Sequence, residues 1–248
     1  LYYLLGRYRQ CRVNYLRVVD NVINPDHFDN LMPQLAGRNL NVRLFFEVRP
    51  TLKKHQVKAL AQAGVTDIQA GLESLSSHSL KLMRKGTSAL RNIQLLKWSK
   101  QYGLAASWNI IFGFPGEVAD DYVQSLELAK VLSHLSPPVG YGPFRMDRFS
   151  YNFEHAAELG LINLRPCHAY HYLYPFDEAP LFDLSCYFDY EHRQPIDNGG
   201  LLSALTTQVH NWRGRQDQLY SSIEGDRIVI HDTRPVALSA NVVLEGVH

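Results

Sequence analysis

The sequence predicts an α/β chain: the later strands of a partial, TIM-like (β/α)6 barrel, followed by a small α+β region with a winged-helix-like end. Three observations carry that expectation. From Tyr15 to Glu117, short runs rich in Val, Leu and Phe alternate with amphipathic segments, the rhythm of parallel strands joined by crossover helices. The expected strand ends carry Asp20, Glu47, Glu73 and Asn109, and parallel α/β sheets bind ligands at those ends. Near Arg148 the rhythm stops and aromatics and prolines take over.

Taken in order, Val13 to Asp20 reads as the first strand, stopped by the polar Asp20-Asn21 pair. Asn24-Pro25-Asp26 starts a helix with Phe28, Leu31, Met32 and Leu35 at helical spacing, ended by Gly37. Asn41 to Val48 is the next strand. Leu52 to Ala63 is a helix, with Val57, Leu60 and Ala61 on one face and Gly64 just past its end. Asp67 to Gly71 is a strand, Ser76 to Met83 and Ser88 to Tyr102 are helices, and Ala105 to Phe112 is one continuous strand. Asp120 to Leu132 is helical and Val139 to Met146 is a last strand, so the barrel part occupies residues 1–148 and the accessory part 149–248. Within the latter, Gly199 to Arg215 reads as a helix. Gln218 to Ile223 and Arg227 to Asp232 read as a hairpin around Glu224-Gly225-Asp226, which with that helix predicts a small winged-helix-like appendage.

Bulk properties exclude several classes. The 248 residues bury a sizeable core. With 25 basic against 24 acidic side chains, no global field favours nucleic acid or an anionic membrane. No stretch approaches the ~20 apolar residues of a membrane span, and no secretory signal is present, so the expected location is the cytoplasm. Three dispersed cysteines, Cys11, Cys167 and Cys186, build neither a disulfide framework nor a zinc site; each reads as a buried thiol. His168 and His171, three apart, lack a third ligand and read as structural. The chain opens on Leu1-Tyr2-Tyr3 without a Met, which reads as a piece of a longer protein.

Four phrases carry chemistry: Phe45-Phe46-Glu47-Val48-Arg49, Gln69-Ala70-Gly71-Leu72-Glu73-Ser74, Leu82-Met83-Arg84-Lys85-Gly86 and Trp108-Asn109-Ile110-Ile111-Phe112-Gly113-Phe114-Pro115-Gly116-Glu117. Singly, each has an ordinary reading. Glu47 and Glu73 can be strand-end carboxylates paired with Arg49 or Lys85, Arg84-Lys85 a solvated helix end, and Pro115-Gly116-Glu117 a loop entering a helix. In this order and spacing the four resemble radical S-adenosylmethionine (SAM) enzymes, which bind SAM across the C-terminal edge of a partial (β/α)6 barrel beside a 4Fe-4S cluster held by CxxxCxxC. The resemblance implies that Glu73 and Asn109 bond the ribose hydroxyls, Lys85 or its neighbour Arg84 the methionyl carboxylate, and Glu47 the methionyl amine. Ile110, Ile111 and Phe112 would supply the adenine wall, and the Gly113, Pro115, Gly116, Glu117 turn would let backbone approach the base.

Further phrases, Leu90 to Trp98, His134 to Pro138, Arg145 to Ser150, Tyr172 to Pro175 and Asp232 to Pro235, extend the resemblance to the cobalamin-binding branch that matures ribosomally made peptides (RiPP maturation). It implies peptide C-methylation, a ribosomally made precursor peptide as substrate, and ferredoxin or flavodoxin as reductant. Arg145, Asp147, Arg148, Tyr151 and Tyr174 are the expected peptide contacts, or else core aromatics and their neighbours. No CxxxCxxC occurs in the chain, so no cluster ligand is expected here, and the cluster and cobalamin segments are expected either upstream or lost in a degenerate copy. Two alternatives stand beside this reading: an inert precursor-peptide scaffold that adds a strand to the hairpin edge, and a barrel aldolase using Lys85 in an apolar pocket.

Overall fold

The computed structural model describes residues 14–20, 22–38 and 42–246. Cys11, Val13, Asn21, Asn41 and the opening Leu1-Tyr2-Tyr3 lie outside the described residues.

A parallel four-stranded sheet runs in the order β1 (Tyr15–Arg17), β2 (Arg43–Val48), β3 (Val65–Ala70), β4 (Ala105–Ser107). Between β1 and β2 lie two short helices, α1 (Asp26–Asp29) and α2 (Leu31–Ala36). Helix α3 (Lys54–Gln62) joins β2 to β3, and α4 (Ser77–Leu82) and α5 (Ala89–Gln101) join β3 to β4. Gly64 ends α3 at φ +84°, a left-handed backbone that favours glycine. Ser76 caps α4 by accepting from the His78 and Ser79 amides. Alternation along β2 divides its side chains: Leu44, Phe46 and Val48 enter the main core, while Arg43, Phe45 and Glu47 take the opposite face, the lumen of the open barrel.

The strand expected over Ala105 to Phe112 is two strands. Trp108 interrupts it: the indole is buried, its Nε1 donates to the Ser136 carbonyl, and its ring meets Trp212 edge to face. Beyond the break, β5 (Asn109–Phe112) pairs in parallel with β6 (Gly140–Pro143). It rejoins the first sheet through a bridge between Glu73 and Ile110, so the barrel wall continues past the interruption. Helix α6 (Ala119–Val131) connects β5 to β6.

The expected strand Val139 to Met146 also divides, and Met146 opens β7 (Met146–Asp147) in a different sheet. That antiparallel sheet, in the order β7, β9 (Tyr187–His192), β8 (Leu161–Pro166), has its own small core of Met146, Ala156, Leu161 and Phe188. Three short helices accompany it: α7 (Tyr151–Glu154), α8 (Ala169–Leu173) and α9 (Glu178–Leu184).

The helix expected after Gly199 forms as α10 (Leu201–Arg213), but it does not pair with the hairpin as a winged helix would. Its Leu205, Val209 and Trp212 enter the barrel core against α6, and the Trp212 Nε1 donates to the Leu135 carbonyl. The hairpin forms as β10 (Leu219–Glu224) and β11 (Arg227–Asp232), and a third strand, β12 (Asn241–Glu245), pairs with β11. Arg234 ties this sheet to the barrel through the Val131 carbonyl, at 2.7 Å.

Candidate functional site

The site forms where β2, β3 and β5 end. Glu73 stands at φ +53°, a left-handed conformation that is strained for a glutamate. The loop around it is held on both sides: Asn92, fully buried, donates to the Leu72 and Ser74 carbonyls, and Ile111 donates its amide to the Glu73 carbonyl at 2.8 Å. Asn92 thus shapes the site, although in the sequence it is merely one polar residue inside an amphipathic helix.

The backbone of Glu73 bridges Ile110, the residue that follows Asn109 at the start of β5. Two glycines hold space beside Glu73 and Asn109. A Cβ on Gly140, the partner of Asn109 across β5 and β6, would lie 2.6 Å from the Asn109 Oδ1. A Cβ on Gly71 would lie 3.1 Å from the Glu73 Oε1 and 3.6 Å from the Lys85 Nζ. Lys85 reaches the same spot, with its Nζ 2.9 Å from the Glu73 Oε2. That contact is ionic, because Oε2 is buried and accepts no aligned hydrogen bond among the described residues. The Lys85 ammonium is therefore ion-paired rather than set in an apolar pocket, which counts against an aldolase lysine.

Glu47 faces the lumen and lies 3.8 Å from Arg17, which also reaches Gln69 at 3.5 Å and sits over the Phe45 ring. Its partner is Arg17, not Arg49. One layer down, Arg43 pairs with Asp67 at 3.0 Å and lies over Tyr15. Sequence reading missed Arg17, Arg43, Asp67 and Gln69 as lumen residues. The alternation Arg43, Phe45, Glu47 and Asp67, Gln69, Gly71 was the signal for them, since period two puts each set on one face.

The expected adenine wall is divided by the same alternation. Ile110 belongs to the core and Phe112 packs against it, so only Ile111, half-buried, takes the lumen face. The Gly113-Phe114-Pro115-Gly116-Glu117 turn is fastened from behind: the buried Glu117 accepts from the Gly113 and Phe114 amides and from the Tyr122 hydroxyl, at 2.9, 3.2 and 2.9 Å. Burial raises the Glu117 carboxyl above the ordinary range, opposed by these hydrogen bonds. Gly116, at φ +89°, lets the turn pass over Leu82. Beside it, Asp121 is held below its usual range although burial pushes it up, because Ser76, Val118 and His78 all bond its carboxylate.

Arg84 turns away from Lys85. In a left-handed conformation of its own, φ +54°, it donates to the Tyr151 hydroxyl at 2.7 Å and stacks over that ring at 3.8 Å. Arg145 pairs with Asp147 at 2.6 Å, over Tyr187. Arg148 is enclosed by Phe149, Phe153, Phe182 and Phe188 and donates to the Ser185 and Phe182 carbonyls. It organises the second sheet. Tyr174 stacks between Tyr170 and Phe176 and is exposed.

Cys167 is half-buried and Cys186 exposed, so neither is the buried thiol expected. His168 meets Tyr172 and His171 meets Glu178. Among the described residues no group of three His, Cys, Asp or Glu could hold a metal, and no helix is long and apolar enough to cross a membrane.

Residues 8–129 match the Radical SAM superfamily. The matched segment contains β1 through most of α6, including Glu47, Glu73, Lys85 and Asn109. The chain is 30% identical over 82 residues to an uncharacterized methyltransferase from Pyrococcus horikoshii, a match covering 33% of this chain and 18% of that protein. Its fold is similar to that of the radical S-adenosylmethionine methyltransferase TsrM from Kitasatospora setae, solved with cobalamin and a [4Fe-4S] cluster. That likeness has a TM-score of 0.58 at 15% identity, covering 82% of this chain and 45% of TsrM. The chain thus spans less than half the length of either protein.

Proposed function

We propose that this chain is the SAM-clamping part of a radical SAM methyltransferase that modifies a ribosomally made peptide, with cobalamin relaying the methyl group. The observation that carries the reading is the bridge that sets Glu73 against Ile110, one residue from Asn109, with Gly71 leaving room at the Glu73 carboxylate and Gly140 at the Asn109 amide. A ribose diol needs two such acceptors side by side. Seated beside a reduced cluster, SAM would supply the radical chemistry of the reaction.

This chain's part is to seat the cofactor. The Glu73 carboxylate and Asn109 Oδ1 accept from the ribose hydroxyls, Ile111 offers an apolar surface to the adenine, and Lys85 receives the methionyl carboxylate in a charge-assisted bond. Glu47 accepts from the methionyl amine. Because Glu73 and Lys85 pair with each other at 2.9 Å, seating SAM exchanges that ion pair for two new contacts, one for each partner. For the cluster the described residues offer no fit: Cys167 and Cys186 flank the second sheet. The cluster, the cobalamin and a ferredoxin- or flavodoxin-type reductant are assigned to a larger assembly containing this chain, in the cytoplasm.

The alternative reading, an inert precursor-peptide scaffold, is favoured by one observation: the edge strand β12 is exposed along its whole length. The two are separated in the cluster-bearing protein by equilibrium dialysis with SAM. Glu73→Ala and Asn109→Ala should each weaken SAM about 10-fold or more, as expected for removing hydrogen bonds of about 1.5–3 kcal/mol, at unchanged iron content. Unaltered SAM affinity in both variants rules out the ribose assignment.

A further inference from the structure

A cavity of about 470 Å³ opens between the end of α4 and the start of the second sheet, with His78, Lys81, Arg84 and Tyr151 among its lining residues. No carboxylate lines it. Lys81 and Arg84 have no acidic partner among the described residues, and His78 is tied to Asp121 through its Nδ1 alone. The walls between these groups, Leu82, Met83, Phe114 and Leu159, are apolar.

Arg84 is held there at a cost. At the end of α4 its left-handed backbone is the position where glycine is preferred. A non-glycine residue in such a conformation costs on the order of 1 kcal/mol and persists where surrounding structure over-determines it. The helix C-cap holds this backbone, with the Arg84 and Lys85 amides bonded to the Lys81 and Leu80 carbonyls, and Tyr151, stacked with His155 at 4.1 Å, bonds the guanidinium and lies beneath it. The brace aims a planar, always-charged donor into an apolar cavity, the arrangement suited to a carboxylate.

Resting on the peptide-modifying reading above, we propose that this cavity recognises an acidic residue flanked by apolar residues in the peptide substrate, with Arg84 as the carboxylate partner, Lys81 as a second cation and Tyr151 as a positioning residue. An inorganic anion would leave the apolar walls unused. A purely apolar segment would bury Arg84 and Lys81 without a counter-charge, which is costly.

The test measures binding of a capped Leu-Glu-Leu tripeptide and its Leu-Gln-Leu counterpart to the full chain by NMR titration. The Glu peptide should bind at least 10-fold more tightly than the Gln peptide. Arg84→Gln should abolish the difference and Lys81→Gln reduce it, while Tyr151→Phe, which keeps the ring but removes the hydroxyl, should weaken it about threefold. Circular dichroism on each variant checks the fold, and Lys81, on the exposed face of α4, provides a variant that leaves the backbone of Arg84 untouched. Equal binding of the two peptides, or no binding to the wild type, overturns the proposal. So does an Arg84→Gln variant that loses SAM affinity in the cluster-bearing protein while keeping the peptide preference, since Arg84 would then belong to the cofactor seat. Failure of the Glu73 and Asn109 variants to weaken SAM would remove the cofactor reading without touching the peptide comparison.

Discussion

Glu117 shows how a single side chain is committed to structure rather than to ligand. Its carboxylate gathers two amides and a phenol behind the Gly113–Gly116 turn, and burial raises its pKa above 4.5. The folded state then holds the proton more tightly than the unfolded state. Stability is full below the unfolded value and falls as pH rises from 4.5 through the raised folded value. Urea titrations at a series of pH values should show the wild type losing stability across that window, by about 1.4 kcal/mol per pH unit between the two values. Glu117→Gln should not show the loss, and parallel curves for the two proteins would count against the burial argument. Glu73 differs from Glu117 in having an ionic partner that a ligand can replace, which is why it, and not Glu117, remains the candidate for the ribose.

At the scale of elements, the break at Trp108 decides the site. It ends β4 and starts β5 on Asn109, next to the Glu73 bridge and opposite Gly140. Gly140→Ala should therefore push the Asn109 amide aside, since the added Cβ would stand 2.6 Å from Oδ1. The expected result is a SAM affinity loss comparable to Asn109→Ala with thermal stability nearly unchanged, and a variant binding SAM like the wild type would show that Asn109 is not held there. The same tryptophan anchors α10. Trp212→Ala removes a fully buried ring, its contact with Trp108 and a hydrogen bond to Leu135, a loss of about 3–5 kcal/mol. Denaturant unfolding followed by far-UV circular dichroism should show α10 and the barrel shifting together in one transition. A separate early transition for the helix would detach it from the barrel core.

Across the whole molecule, burial is uneven. The barrel strands are backed by the large core, whereas the β10–β11–β12 sheet has Val229 as its buried apolar residue and presents Ile223, Val242, Val243 and Leu244 to solvent. Local opening follows burial. Hydrogen exchange should find the β10–β12 amides opening at lower free energy than those of β2 and β3, and equal protection in both would mean that something else covers this sheet. The charge ladder of the lumen, Arg43 with Asp67 and Arg17 with Glu47, similarly belongs to no single element, because each pair is made across two strands.

By itself the sequence determined the alternation of strands and helices and the helix ends at Ser76 and Gly64, because period and capping chemistry are local properties. Its four ordered phrases also pointed to the superfamily that residues 8–129 match. Only the tertiary structure decided what depended on contacts between distant residues. The interruption at Trp108 exists because Ser136 and Trp212 capture its indole, and α10 joined the barrel because its apolar stripe fits α6 and not the hairpin. Lys85 and Arg84, adjacent in the chain, diverged because Glu73 holds one and Tyr151 the other. Pairings of that kind are set by through-space distance, which no local pattern of residues encodes.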